Sequence, residues 1–300
     1  MAAGWLKHAM VQANTPTMSI IHRLKANIGG VVQKRSHKHV HASDVTKPNF
    51  CPRHYALLDM EIKSAGKEYI STAMQATFDI GNATADLVKE HWLGDTSIGN
   101  WLCASCGAQR TFCTKPKQGC KIVPTRCNWK YIEMVFESQE YGVSGSIDVM
   151  VDLGVLKVEA TELKIMKTED FDVLKFPLAE HTQRTELYLK LIADSNSAYK
   201  DKINLYEARV LYVSRGYGKK NVEHNEILPF KEYVVPRADE KILPLLQRAK
   251  QIKIFREEEF HPIPSGICTM PTDKYAVGCS TCKACFSGDY PAAQPELPPL

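Results

Sequence analysis

The chain has 300 residues, 44% apolar and 24% charged, the mix of a soluble globular protein with enough length to bury a sizeable core. No apolar run approaches the roughly 18–20 residues needed to span a bilayer, and the first thirty residues lack an apolar stretch with a small-residue cleavage site, so the expectation is a cytoplasmic chain, neither membrane-spanning nor secreted. Net charge is +4 but uneven: residues 1–50 carry seven Lys/Arg against Asp44 alone, and 96–132 carry six basic residues with no acidic one, which points to a polyanion partner, most simply nucleic acid.

Residues 1–50 read as a basic arm, helical around Ser19–Ala26; an arm that serves only solubility is the competing reading. Apolar residues at three- and four-residue spacing predict leading helices within 51–95, over Tyr55–Lys67 and Thr72–Leu93.

A Cys-rich insertion follows at 96–131. Cys103-Ala-Ser-Cys106-Gly107 is a knuckle in which two thiolates can grip one tetrahedral ion. Cys113, Cys120 and Cys127 follow at intervals of seven. The expected zinc set is Cys103, Cys106, Cys120 and Cys127, with Cys113 as the substitute for Cys120. A segment this short has no core of its own, so a metal staple explains it without any catalytic role.

The core is expected over 132–265. Val143, Ile147, Val149 and Val151 mark a first strand containing Asp148, and Val155 to Ile165 a second. Glu162 and Lys164 are two apart in that second strand and share a face. Charged groups within apolar strands are costly to bury unless paired. Asp148, Glu162 and the Leu163 carbonyl could hold Mg²⁺ or Mn²⁺ through oxygen, with Lys164 facing a scissile phosphate. The competing reading is a hairpin whose Glu162 and Lys164 are solvent-exposed neighbours.

Helix 177–194, strands Glu207–Val213 and Glu226–Tyr233, and helix Asp239–Glu258 follow. A Pro-rich stretch at 261–271 leads into the tail, 266–300, where Gly278-Cys279-Ser-Thr-Cys282-Lys-Ala-Cys285 places three thiols in seven residues. Their C-x-x-C-x-x-C spacing favours an iron–sulfur cluster over zinc. A fourth ligand must come from elsewhere, from Cys268 or Cys51.

Asp148 in Gly-Ser-Ile-Asp, then Glu162-Leu-Lys164, then a helix with His181 and Tyr188, resembles the RecB-like branch of the PD-(D/E)xK nucleases. Cys51-Pro-Arg before that core and Cys279, Cys282 and Cys285 after it resemble the iron–sulfur staple of the subset containing AddB and the CRISPR-associated RecB-like exonucleases. The Cys-rich insertion ending in Trp129-Lys-Tyr-Ile-Glu133 resembles phage-encoded members. The match covers roughly residues 51–290, and its strength lies in the order of several weak motifs.

The resemblance implies a restriction-endonuclease-like α/β core, with a mixed central sheet flanked by helices, and a 4Fe–4S cluster on Cys51, Cys279, Cys282 and Cys285. It also implies metal-dependent hydrolysis of DNA, by an exonuclease acting on single-stranded ends in phage replication or recombination. Recombination or replication proteins are the expected partners, in the host cytoplasm. Two positions depart from the pattern. Ala85 stands where the family usually places a metal-binding His, with Asp86, Glu90 and His91 as replacements. Arg184 stands at the usual Gln position four residues before Tyr188, with Gln183 one residue out of register.

Overall fold

The computed structural model describes residues 39–59, 71–117, 127–216, 228–258 and 268–288. The expected helix around Ser19–Ala26, Cys120 and most of the Pro-rich stretch lie outside the described residues. The chain forms two compact units, 1–35 with 67–83 and 36–66 with 84–300.

In chain order the elements are β1 (Val40–His41), α1 (Ala42–Val45), α2 (Pro52–Asp59) and α3 (Thr72–Leu87), followed by a π-helical turn, Val88–Trp92. Then come β2 (Ser97–Cys103), β3 (Gln109–Cys113), β4 (Trp129–Ile132), β5 (Met134–Ser138), β6 (Val143–Ile147), β7 (Val149–Val151) and β8 (Glu159–Met166). The chain continues through α4 (Thr168–Val173), α5 (Ala179–Asp194), β9 (Glu207–Ser214), β10 (Phe230–Pro236), α6 (Asp239–Glu258), α7 (Lys274–Val277) and α8 (Cys282–Phe286). The described part of the first unit is 71–83, within which Gln75 donates to the Asp79 carboxylate at 2.8 Å.

The second unit is α/β with mixed sheets flanked by helices. Its large sheet runs β10-β9-β8-β7-β2-β3, with β4 also paired to β2. β8 and β9 are parallel, joined by the α4–α5 crossover, whereas β7 pairs antiparallel to both β8 and β2. A smaller sheet runs β1-β6-β5, β1 parallel to β6 and β5 antiparallel to it.

The expected single strand through Asp148 is two strands, β6 in the small sheet and β7 in the large one, with Asp148 at the bend between them. The bend is held because Asp148 Oδ2 accepts the Leu163 N–H at 2.8 Å, a side-chain bond that ties the turning point to β8. The second strand starts later than expected: Val155 and Leu156 are exposed, and β8 begins at Glu159.

Helix α5 buries Leu187, Tyr188, Leu191 and Ile192, an i, i+1, i+4, i+5 stripe that packs on β5, β6 and β8 together with Ile242 and Leu246 of α6. Gly145 of β6 permits that approach: a Cβ there would stand 2.9 Å from Leu191 and 3.1 Å from the Tyr188 ring. Residues 39–50, which charge alone assigns to the basic arm, put Val40, Ala42, Val45 and Phe50 into the same core.

Thr72–Leu93, expected as one helix, ends as α3 at Leu87 and continues as the π-helical turn. Strand β2 begins in the Cys-rich segment and pairs through Ser97 and Ile98 with β7, so that segment is built directly onto the central sheet. A second small core forms there from Trp101, Cys103, Trp129, Tyr131, Val149 and Val151. Among the described residues no helix is long and apolar enough to cross a membrane.

Candidate functional site

Successive residues of β8 point to opposite faces, so Glu162 and Lys164 emerge together on one face while the Asp148 bend is tied to the same strand. Lys164 Nζ lies 2.5 Å from Glu162 Oε1 and 3.5 Å from Asp148 Oδ2, and it donates to the Leu163 carbonyl at 3.3 Å. The exposed-hairpin reading is thereby overturned: the Glu162 side chain is fully buried and Lys164 is 24% exposed.

Arg184 of α5 closes the cluster, its Nη1 2.9 Å from Glu162 Oε1 and its Nη2 2.7 Å from Glu180 Oε1. Glu162 Oε2 is buried and, among the described residues, has no hydrogen-bond partner. A carboxylate oxygen left in this state is costly unless something else satisfies it. Two carboxylates and a main-chain carbonyl are donor types that suit a hard divalent cation such as Mg²⁺ or Mn²⁺, and in this structure the Lys164 ammonium contacts all three.

The electrostatics follow from burial and mutual repulsion. Burial, reinforced by Glu162, pushes the Asp148 carboxyl up. Burial works to lower the Lys164 ammonium, but Asp148 and Glu162 outweigh it and hold the group above its ordinary value, hence charged. Burial and then the Glu162 and Asp148 carboxylates drive the Tyr188 phenol well above its usual range, so it stays neutral. His181 Nδ1 lies 2.8 Å from the Tyr212 hydroxyl. Burial, together with Lys164 and Arg184, pushes His181 down to about 3.

The accessory positions divide. His181, Arg184 and Tyr188 all reach the cluster or its border, as their shared helix face predicts; Gln183 is one residue off that face. Ala85 packs beside Val88 and beside Leu163 and Val213, whose side chains lie on the face of β8 and β9 opposite to Glu162 and Lys164, and it contributes only a methyl group. Of the suggested replacements, Glu90 is committed elsewhere: Oε1 accepts the Tyr131 N–H at 3.1 Å and Oε2 pairs with Lys130 at 3.4 Å, which pins the π-helical turn to β4. His91 is exposed. Asp86 is 55% exposed and faces Lys89 at 3.8 Å.

Two residues of the neighbourhood were not among the sequence-predicted site residues, Lys89 and Glu133, the latter noted only as the end of the insertion motif. Lys89 Nζ donates to Glu133 Oε1 at 3.1 Å from a buried position against the Tyr131 ring. Burial and then the Asp148 charge push the Glu133 carboxyl up, and Lys89 and Lys164 oppose that shift. The available signal was period two: Trp129 and Tyr131 are buried while Lys130 and Ile132 are exposed, and Glu133 continues the inward parity.

Cys103, Cys106 and Cys127 bring their sulfurs within 4.8 Å of one another, a group that could hold a metal ion. Gly107, at φ +72°, turns the backbone beneath the knuckle, where its N–H bonds the Cys103 carbonyl at 2.8 Å. Burial raises the Cys103 thiol, but contacts from Cys127 and the Ser105 and Cys106 amides lower it further, which favours a thiolate. Cys113 is outside this group; its carbonyl instead accepts the Trp101 indole N–H at 3.0 Å. Cys120 lies outside the described residues.

The tail folds back on α2. Arg53 Nε lies 3.2 Å from Cys285 Sγ, and His54 Nδ1 lies 3.4 Å from Cys279 Sγ and 2.9 Å from Thr281 Oγ1. Burial raises the Cys279 thiol, but His54 and Thr281 bring it down to about 7. Cys51, Cys268 and Cys279 all lie near enough to Cys285 to influence one another's charge, whereas Cys282 Sγ faces the Pro271 carbonyl at 3.8 Å. These thiols are not drawn onto a single point, as Cys103, Cys106 and Cys127 are. A multi-iron cluster needs no such convergence, because each thiolate ligates a separate iron.

No family model and no curated protein matches the chain. A solved structure described as "Crystal structure of SSO0001" is similar over 77% of this chain and 82% of its own, at 11% identity and a TM-score of 0.34. Similarity at that level carries no information about the site.

Proposed function

We propose that the protein is a metal-dependent DNA nuclease, an exonuclease acting on single-stranded ends in phage replication or recombination. The observation that carries this reading is the meeting of Asp148, Glu162 and Lys164, with Nζ 2.5 and 3.5 Å from the two carboxylates. Asp148, Glu162 and the Leu163 carbonyl would hold Mg²⁺ or Mn²⁺, which supplies Lewis acidity toward a phosphoryl oxygen. Lys164, kept protonated by its two carboxylate neighbours, offsets the negative charge that develops on the phosphate as the bond breaks. Arg184 fixes the Glu162 carboxylate through Oε1. His181, neutral across the physiological range, adds no charge. Zinc on Cys103, Cys106 and Cys127, with Cys120 as fourth ligand, and a 4Fe–4S cluster on Cys51, Cys279, Cys282 and Cys285 are read as scaffolds.

Labelled single- and double-stranded DNA, incubated with and without Mn²⁺, tests the reading. Lys164→Ala should retain the fold and DNA binding and lose cleavage. Equal degradation by wild type and variant removes Lys164 from the mechanism. A brown preparation with visible absorption supports iron–sulfur, and a colourless one carrying zinc replaces it with a second zinc site.

The Arg184–Glu162 ion pair favours a second reading, a non-catalytic DNA-binding protein in which the guanidinium has neutralised the acidic centre. It predicts salt-dependent binding and no product with any divalent ion.

A further inference from the structure

Tyr212 of β9 lies beside Lys164 of β8. The two are in register across the parallel ladder, so their side chains stand on the same face of the sheet. Tyr212 is fully buried. Its hydroxyl oxygen accepts the N–H of Leu178, the residue before α5, at 2.9 Å, and His181 Nδ1 lies 2.8 Å from the same oxygen. A buried hydroxyl proton needs an acceptor. Among the described residues the partner left for it is Nδ1. Nδ1 is thus an acceptor, and the neutral imidazole carries its own proton on Nε2. His181 sits in the first turn of a 16-residue helix. The positive end of the helix dipole lies there and favours the uncharged ring.

Nε2 has no hydrogen-bond partner among the described residues and is not a buried atom. One turn later Arg184 holds Glu162, so the open N–H stands at the border of the Asp148–Glu162–Lys164 centre. A rigid N–H donor exposed beside a protonated lysine suits a phosphate oxygen.

We propose that His181 is a substrate-binding residue whose Nε2–H donates to a non-bridging phosphate oxygen of single-stranded DNA beside Lys164, and that Tyr212 is the positioning residue that fixes the imidazole tautomer. This rests on the reading of the centre as a DNA nuclease. Lys164 and Arg184 are both tied to Glu162, whereas His181 breaks no bond to reach the backbone.

The test is binding of a short fluorescent single strand to the full chain, read by anisotropy without divalent ion so that no cleavage intervenes. Wild type, His181→Gln and His181→Leu are compared, with circular dichroism to verify the fold. Gln can place an N–H donor near the position of Nε2; Leu cannot. His181→Leu should bind about tenfold more weakly, the effect of one hydrogen bond to a charged oxygen, and His181→Gln should stay within about threefold of wild type. If His181→Leu matches wild type, or if His181→Gln is as weak as His181→Leu, the donor role fails while the nuclease reading survives. If wild type binds no single-stranded DNA, that reading falls and this inference falls with it. Should His181→Leu not fold, His181→Phe takes its place under the same outcomes. The role of Tyr212 is read from the imidazole nitrogen shifts of wild type by NMR at neutral pH, assigned through their loss in His181→Gln. The Nε2–H tautomer is expected, and an Nδ1–H tautomer overturns the positioning role.

Discussion

At the scale of single residues, the site is a balance of charges in which one group is kept neutral. A His181 pKa near 3 makes protonation of that imidazole incompatible with the folded state over most of the acid range. The unfolded chain takes up this proton near pH 6.5, so the stability due to neutral His181 is complete above about pH 6.5 and is lost as pH falls from there toward 3. His181→Gln should therefore lose less melting temperature than wild type between pH 7.5 and 4.5. Parallel decline of the two proteins would place the acid sensitivity elsewhere. Asp148 was joined to Glu162 and Lys164 only through the order of the motifs, whereas the pairing of those two was legible because period two within a strand is a local property. Lys89 and Glu133 were not, because they lie 44 residues apart and meet only once β4 has packed on the π-helical turn. Glu90 misled for the same reason: an acid on the leading helix reads as a candidate ligand until its Tyr131 amide and Lys130 partners are seen.

At the scale of elements, the contact between β6 and α5 depends on a missing side chain. Gly145→Ala introduces a methyl group 2.9 Å from Leu191 and 3.1 Å from Tyr188, so one of these must move. Overpacking of this kind costs about 1–3 kcal/mol, measurable by urea denaturation, and because Tyr188 borders Glu162 it should weaken Mn²⁺ binding as well. A variant as stable as wild type would mean that α5 can shift without penalty. Helices α5 and α6 were visible in advance, since their apolar stripes are regular. The break at Asp148 was not: Val143, Ile147, Val149 and Val151 read as one continuous strand, and only the hydrogen bond from Leu163 shows why the chain turns between them. Strand β2 was likewise hidden among cysteines that drew attention to metal rather than to its pairing with β7.

At the scale of the whole molecule, part of the basic run at 96–132 meets partners contributed by the preceding turn. Of the six basic residues in 96–132, Lys117 pairs with Asp95 at 2.6 Å, Lys130 with Glu90, and Lys115 donates to the Glu90 carbonyl at 3.1 Å. Asp95 and Glu90, just outside the stretch, thus face Lys117 and Lys130, pairings that a count within the stretch leaves out. The tail contact with α2 joins residues 232 apart, Arg53 and Cys285. That hydrogen bond is lost on unfolding, but the proposed cluster, if kept by the unfolded chain, would close a loop of this span, and a cross-link of that length is worth about 5 kcal/mol. Stripping metal under reducing conditions, or Cys285→Ser, should lower the melting temperature and expose the tail to protease; an unchanged melt would show that the tail is not a staple. The bend at Asp148 has a last consequence. One of the candidate ligands sits at a junction, so its placement relative to β8 is inherited jointly from two hydrogen-bonded layers. Slippage of either layer misaligns the oxygen donors while most of the backbone stays intact. On gentle heating, affinity for Mn²⁺ should then fade at a lower temperature than the far-ultraviolet helical signal.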